Sequence, residues 1–157
     1  TAQPAAEKVV GMPPFQYLAK TPQWSTSFNN AMTAFSANVM PAVLKAYDFS
    51  GIGTLVDVAG GHGHVLTSVL RDYPQMRGVL FDLEHVIAGS GPLLAASGVK
   101  NRVRAEPGDA TGSHAAHRVA ARVGYGASRL KYWLALFCVK AWPNIEVKSG
   151  PSLSSPM

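Results

Sequence analysis

The sequence predicts an α/β fold, an incomplete parallel sheet flanked by helices and preceded by a helical segment. Three observations predict it. Short apolar runs rich in β-branched residues alternate with helix-period segments between residues 51 and 109. The connections between them are short, as in strand–helix–strand units. Ahead of them, residues 21–47 carry apolar side chains at steps of three and four.

The elements follow in order. Thr21-Pro22 reads as a helix start, with Thr21 as cap and Pro22 at the first helical position. Trp24, Phe28, Ala31, Met32, Phe35 and Val39 then share one face. Taken alone, that stripe is the pattern of ordinary core packing. Pro41 should kink or restart the helix, because it donates no hydrogen bond. Ala42 to Tyr47 continues it, and Asp48 to Gly53 is a loop. Thr54 to Val58 is a buried parallel strand, Gly60-Gly61-His62-Gly63 a tight turn, and His64 to Tyr73 a helix with Val65, Leu66, Val69 and Leu70 inward. Gly78 to Asp82 is a second strand. Val86 to Ser97 is a helix interrupted near Gly89 and Gly91, and Arg102 to Glu106 a third strand leading to Gly108-Asp109. About three parallel strands are expected, too few to bury both faces, with exposed edges that invite aggregation. Beyond Asp109 the rhythm stops. Lys131 to Trp142 is a strand or a short helix, and Ser149 to Met157 is Ser/Pro-rich and reads as disordered.

Composition narrows the function classes. The chain has 157 residues, at most one ordinary domain, with 15% charged residues and 47% hydrophobic ones, which is globular. Residues 1–109 hold eight Lys/Arg and eight Asp/Glu; residues 110–157 hold six Lys/Arg against Glu146 alone, so the whole net charge of +5 sits there. Such a basic segment allows a non-enzymatic adaptor reading, through salt-dependent contacts. The one cysteine, Cys138, excludes an intrachain disulfide and fits a reducing, cytosolic setting. No signal-type segment is expected at the start. The longest apolar run, Tyr132 to Val139, is too short to span a bilayer, so no membrane role is expected.

The chemistry is concentrated between Val56 and Gly63, read with Asp82. A strand carries Asp57, a glycine-rich turn opens a helix, and an acid ends the next strand 19 positions beyond Gly63. Small residues let the backbone approach a ligand, and a carboxylate at a strand tip accepts hydrogen bonds from ribose hydroxyls. Two ligands fit. A dinucleotide such as NAD needs G-x-G-x-x-G, and Leu66 stands where the third glycine belongs. S-adenosylmethionine has no phosphate and takes acidic-x-Gly-x-Gly-x-Gly; the chain reads Asp57-x-Ala59-x-Gly61-x-Gly63, with Ala at the first glycine. Other features read blandly. His62 with His64, and His114 with His117, lack a third ligand, so no metal is assigned. Tyr132-Trp133 beside Lys131 has the makings of a base-stacking patch. An ordinary buried apolar segment is the preferred reading, and no nucleic acid is expected.

From Phe15 to Asp109 the chain resembles the plant and bacterial small-molecule O-methyltransferases, the family of caffeate, hydroxyindole and polyketide O-methyltransferases. The segments that carry the likeness are Phe28 to Thr33, Leu55 to Gly63, Tyr73-Pro74, Gly78 to Val86 and Gly108-Asp109, in matching order over about 95 residues. The resemblance implies a partial Rossmann-like methyltransferase sheet and S-adenosylmethionine as cofactor. It implies that Asp57 belongs to the cofactor loop and that Ala59, Gly61 and Gly63 lie against the methionine part. Asp82 would hold the ribose, and Asp109 and Ala110 flank the adenine, although the family usually has Met or Phe at the latter position. Trp24, Phe28, Met32 and Phe35 would wall the pocket of a small-molecule acceptor, aromatic or polyketide-like. Three units follow: a helical segment over 1–50, the cofactor-binding core over 51–109 and a divergent basic tail over 110–157.

The family's general base lies in a His-Asp-Trp run beyond the Gly-Asp pair, and a bound hydroxyl needs such a base to become nucleophilic. Here Trp142 follows Lys140-Ala141, and no histidine occurs after His117. No catalytic residue is therefore assigned, and little or no activity is expected of these residues alone. The family's helical dimerisation region is also expected to be missing, so its homodimer is not carried over. A change of reading frame near Asp109 would produce the loss of pattern and of charge balance that the tail displays.

Overall fold

The computed structural model describes residues 5–109 and the backbone of residues 131–134. Ala110, the histidines at 114 and 117, and the segment 149–157 lie outside the described residues. Three helices come first: α1 (Ala5–Val10), α2 (Pro14–Lys20) and α3 (Pro22–Ala46). Then follow β1 (Thr54–Val58), α4 (His64–Asp72), β2 (Arg77–Asp82), α5 (Glu84–Ile87), α6 (Gly91–Ala96), a 3-10 turn over Lys100–Arg102, β3 (Val103–Pro107) and β4 (Lys131–Leu134).

The sheet has four strands in the order β3-β2-β1-β4, and every pairing is parallel. Four replace the expected three because residues 131–134 pair along β1, from Leu55↔Lys131 to Val58↔Leu134. The strand alternative for Lys131 to Trp142 is therefore realised over its first four residues. The central strands are closed on both faces, contrary to expectation. Leu55, Val56, Asp57, Val58, Val79, Leu80 and Phe81 are each 3% exposed or less. Alternation along a strand sends Leu55, Asp57, Gly78 and Leu80 to the side of α4, and Val56, Val58, Val79 and Phe81 to the other. The α4 side forms the main core, with Met40, Phe49, Leu55, Leu66, Val69, Leu70, Met76, Leu80 and Val99. A Cβ on Gly78 would lie 2.9 Å from Leu66 and Leu70, so β2 and α4 touch through a glycine. No helix among the described residues is long and apolar enough to cross a membrane.

Several local expectations change. Thr21 does not cap α3. Its hydroxyl donates to the Tyr17 carbonyl at 2.6 Å and closes the end of α2 instead. Pro22 does occupy the start of α3. The helix runs unbroken through Pro41 to Ala46, so the expected restart does not occur. The interrupted helix resolves into α5 and α6, and the third strand begins at Val103, which leaves Arg102 in the preceding turn. The largest correction concerns the aromatic face of α3. Trp24, Phe28 and Phe35 are 61%, 39% and 40% exposed, while Ser25, Asn29 and Met40 are the buried residues of that helix. The stripe is not core. Phe28 meets the Phe15 ring edge-on at 6.1 Å, which joins α2 to the same apolar surface.

Candidate functional site

The strand order places the site before any motif does. From β1 the chain moves outward through β2 to β3, and β4 lies on the other flank of β1. The direction of winding therefore reverses beside β1. Ligands of open parallel sheets bind at the carboxyl ends of the strands where that reversal occurs. The glycine turn 59–63 follows β1 at that point.

The turn is built from the backbone outward. Ala59 donates its N–H to the Phe81 carbonyl at 2.8 Å, and Gly63 donates to Gly60 at 2.9 Å. Ala59, Gly61 and Gly63 have φ of 55°, 60° and 89°, the left-handed region that favours glycine. Ala59 thus holds a conformation that its side chain disfavours, at the position where the motif expects glycine. Among the described residues a Cβ on Gly61 would meet nothing within 4 Å, which leaves room beside that residue for a ligand. Gly63 is buried against Leu80 and starts α4 with no side-chain cap among the described residues.

Asp82 closes the site from β2. Its Oδ2 accepts the Gly61 N–H at 2.8 Å, and its Oδ1 accepts the Leu83 N–H at 2.7 Å. Burial holds this carboxyl above the usual range. The N–H groups of Gly61 and Leu83, and then the charges of His85 and His62, pull it back down. Each carboxylate oxygen accepts more than one hydrogen bond, so both keep capacity for ligand hydroxyls. Gly108 donates to the Asp82 carbonyl at 2.8 Å and brings Asp109 to the carboxyl end of β3, where it is exposed.

Asp57 stands apart. It is fully buried, and among the described residues neither carboxyl oxygen has a hydrogen-bond partner. Burial pushes it up to about 7. The Leu66 N–H opposes this without reaching hydrogen-bond geometry, and the Asp82 charge adds a small push upward. A Cβ on Gly60 would fall 2.6 Å from the Asp57 Cγ. The Gly60 backbone therefore lies close over the carboxyl. Sequence reasoning missed Gly60, Leu83 and Gly108. Gly60 was legible as a glycine outside the alternating motif. The other two act through backbone N–H groups, which a sequence does not single out.

The remaining candidates are placed simply. Met32 is half-buried on the exposed aromatic surface of α3. Burial and then Arg71 hold the His64 imidazole below its ordinary value, and it faces Ser68 at 3.5 Å. A depression of about 240 Å³ lies by Thr54, Arg77, Asn101 and Arg104, at the amino ends of the strands. That is the wrong edge for a ligand of such a sheet, and the loop and Asp82 take no part in it.

Residues 2–115 match the O-methyltransferase domain family. The chain belongs to that family. Over 109 residues this O-methyltransferase domain is 41% identical to the phenazine O-methyltransferase PhzM of Lysobacter antibioticus, covering 69% of this chain and 32% of that one. It is 41% identical over 87 residues to the caffeic acid 3-O-methyltransferase of Eucalyptus gunnii, covering 55% and 24%. The crystal structure of LaPhzM superposes with a TM-score of 0.66 at 41% identity, over 69% of this chain and 33% of that one. NcsB1, an O-methyltransferase from neocarzinostatin biosynthesis solved with S-adenosylmethionine and 2-hydroxy-5-methyl naphthoic acid, superposes at 0.65 with 26% identity, over 69% and 34%. The domain spans about a third of the length of the first two curated relatives it matches.

Proposed function

We propose that this chain is the donor-binding part of an S-adenosylmethionine-dependent O-methyltransferase for small aromatic or polyketide-like acceptors. The observation that carries the reading is the 2.8 Å bond from the Gly61 N–H to Asp82. It ties the glycine turn to the carboxylate at the switch point, with room beside Gly61 among the described residues. In this reading Asp82 accepts the ribose hydroxyls, and the turn at Ala59, Gly61 and Gly63 lets the backbone meet the amino-acid end. Asp57 supports the loop from below, and Asp109 and Ala110 border the adenine. The exposed face of α3, with Trp24, Phe28, Met32 and Phe35, walls the acceptor. A flat apolar acceptor suits such a wall, and the naphthoic acid bound by NcsB1 is of that kind.

Bound S-adenosylmethionine supplies a methyl group on a good leaving group, so the protein's remaining task is to position the acceptor hydroxyl and remove its proton. These 157 residues contain no His-Asp-Trp run to do so. Taken alone, residues 1–50 and 51–109 then bind without turnover, and 110–157 is a divergent segment. The nucleotide sequence around codon 109 tests the last point: a His-Asp-Trp run in another frame supports it, and its absence from every frame refutes it.

Calorimetric titration with S-adenosylhomocysteine, with NAD as control, tests the donor reading. Saturable binding of the first and none of the second is expected. Asp82→Ala should weaken binding by roughly tenfold or more, the worth of charge-assisted hydrogen bonds. Unchanged affinity in that variant refutes the reading. Methylation of a hydroxynaphthoate by the unaided chain would refute the lack of turnover.

A further inference from the structure

His62 lies in the turn between Gly61 and Gly63, and its side chain is half-buried. A Cβ built on Gly89 would fall 2.8 Å from His62 Nε2 and 3.4 Å from Cδ2, so the imidazole rests against the backbone at 89. That backbone is the linker between α5 and α6. It is folded tightly, with the Gly89 N–H donating to Val86 and the Ser90 N–H to Ile87, both at 3.0 Å. The same ring is within electrostatic reach of Asp82. One side chain thus touches the linker and acts on the carboxylate, and no motif accounts for it.

We propose that His62 is a positioning residue for Asp82: seated in the space that Gly89 leaves free, it holds the glycine turn, whose Gly61 N–H is bonded to Asp82, against the α5–α6 linker. The inference rests on the donor reading above. The groups acting on Asp82 are the N–H donors of Gly61 and Leu83, the imidazoles of His85 and His62, and the Asp57 carboxyl. Of the two imidazoles, His85 is exposed on α5, while His62 is carried by the ligand loop itself.

Gly89 supplies the lever for a test. The atom nearest its added Cβ is the far end of a side chain, at 2.8 Å, with the Val86 carbonyl oxygen only at 3.4 Å, so Gly89→Ala should displace the imidazole before the linker backbone. S-adenosylhomocysteine binding to the full chain is measured by calorimetry for His62→Ala, Gly89→Ala and the double variant, between about pH 5 and 8. Each single change should weaken binding roughly two- to fivefold, the range for a partly exposed charge contact. The double variant should bind no worse than His62→Ala alone, because the two changes remove one contact. The thermal midpoint of Gly89→Ala should match the parent.

The pH profile gives the readout that plain packing would not move. Asp82 must be ionised to accept two hydroxyls, and the His62 charge favours that form. In His62→Ala, affinity should therefore begin to fall at a higher pH than in the parent as the solution is acidified. His62→Gln should recover affinity near neutrality and keep the shifted acid limb. Equal losses from Gly89→Ala with and without His62, single variants that bind like the parent, or an unmoved acid limb would each overturn the proposal. If the parent binds and Asp82→Ala does not, such a result sinks the His62 role alone. If the parent fails to bind, the donor reading falls and takes this inference with it.

Discussion

The two ends of α4 are held in opposite ways. At its carboxyl end the Arg102 guanidinium donates to the carbonyls of Leu70, Tyr73 and Met76 at 2.7, 3.2 and 2.9 Å. A positive charge there satisfies carbonyls that a helix end leaves unpaired and complements its dipole. Beside it, the Tyr73 hydroxyl accepts the Phe49 N–H at 3.0 Å and donates to Asp48 at 3.3 Å. At the amino end, among the described residues, no side chain caps the helix and a buried carboxyl lacks a hydrogen bond, while Ala59 is in left-handed conformation. One end is satisfied and serves stability. The other keeps, among the described residues, one unpaired carboxyl and a strained backbone, features that cluster at ligand sites in folded proteins.

Four changes break or sharpen that contrast. The largest effect is expected at the unsatisfied end. Asp57 is fully buried, and its carboxyl rises from 3.8 to about 7 in the folded chain. The folded state then holds a proton that the unfolded state has lost, so stability falls as pH rises from about 4 to about 7. The loss approaches about 4 kcal/mol at most, from 1.36 kcal/mol for each pH step. Asp57→Asn should flatten that profile and be the more stable form at pH 8 in urea titrations. A parent profile without the decline would overturn the account. At the satisfied end, Arg102→Ala should cost roughly 2 kcal/mol, the range for hydrogen bonds to a charged group. Its affinity for S-adenosylhomocysteine should stay near the parent's, and a matching loss of affinity would erase the division between the ends.

Ala59→Gly should relieve the left-handed strain at position 59 and gain about 0.5–1 kcal/mol, after glycine's greater freedom in the unfolded chain is subtracted. A destabilised variant would mean that the Ala59 methyl contributes more than its backbone costs. Tyr73→Phe is of similar size, and should cost about 1 kcal/mol for the lost hydroxyl bonds and leave ligand affinity untouched. Thermal unfolding and calorimetry on the same samples check both.

Legibility followed locality. Thr54 to Val58, His64 to Tyr73 and Gly78 to Asp82 were readable because strand and helix periods are properties of neighbouring residues. Thr21 misled because its hydroxyl had two carbonyl and amide partners to choose from, and the end of α2 took it. Pro41 misled because a helix 25 residues long tolerates one missing bond where it packs against α4. The aromatic stripe of α3 has the period of a buried face, but which face turns inward is decided by what the helix meets. Here Ser25, Asn29 and Met40 are the buried residues.

The sequence by itself determined the alternation of elements, the small-residue turn and the acid 19 positions after it. These depend on φ preferences and side-chain periodicity, which act over a few residues. Only the tertiary structure decided that Gly61 and Asp82 are bonded, that Asp57 is buried with the Gly60 backbone close over it and that β4 makes β1 the switch point. The first and the last of these join residues about 20 and 75 positions apart. The packing that unites them is fixed by the whole core, and no local preference specifies it.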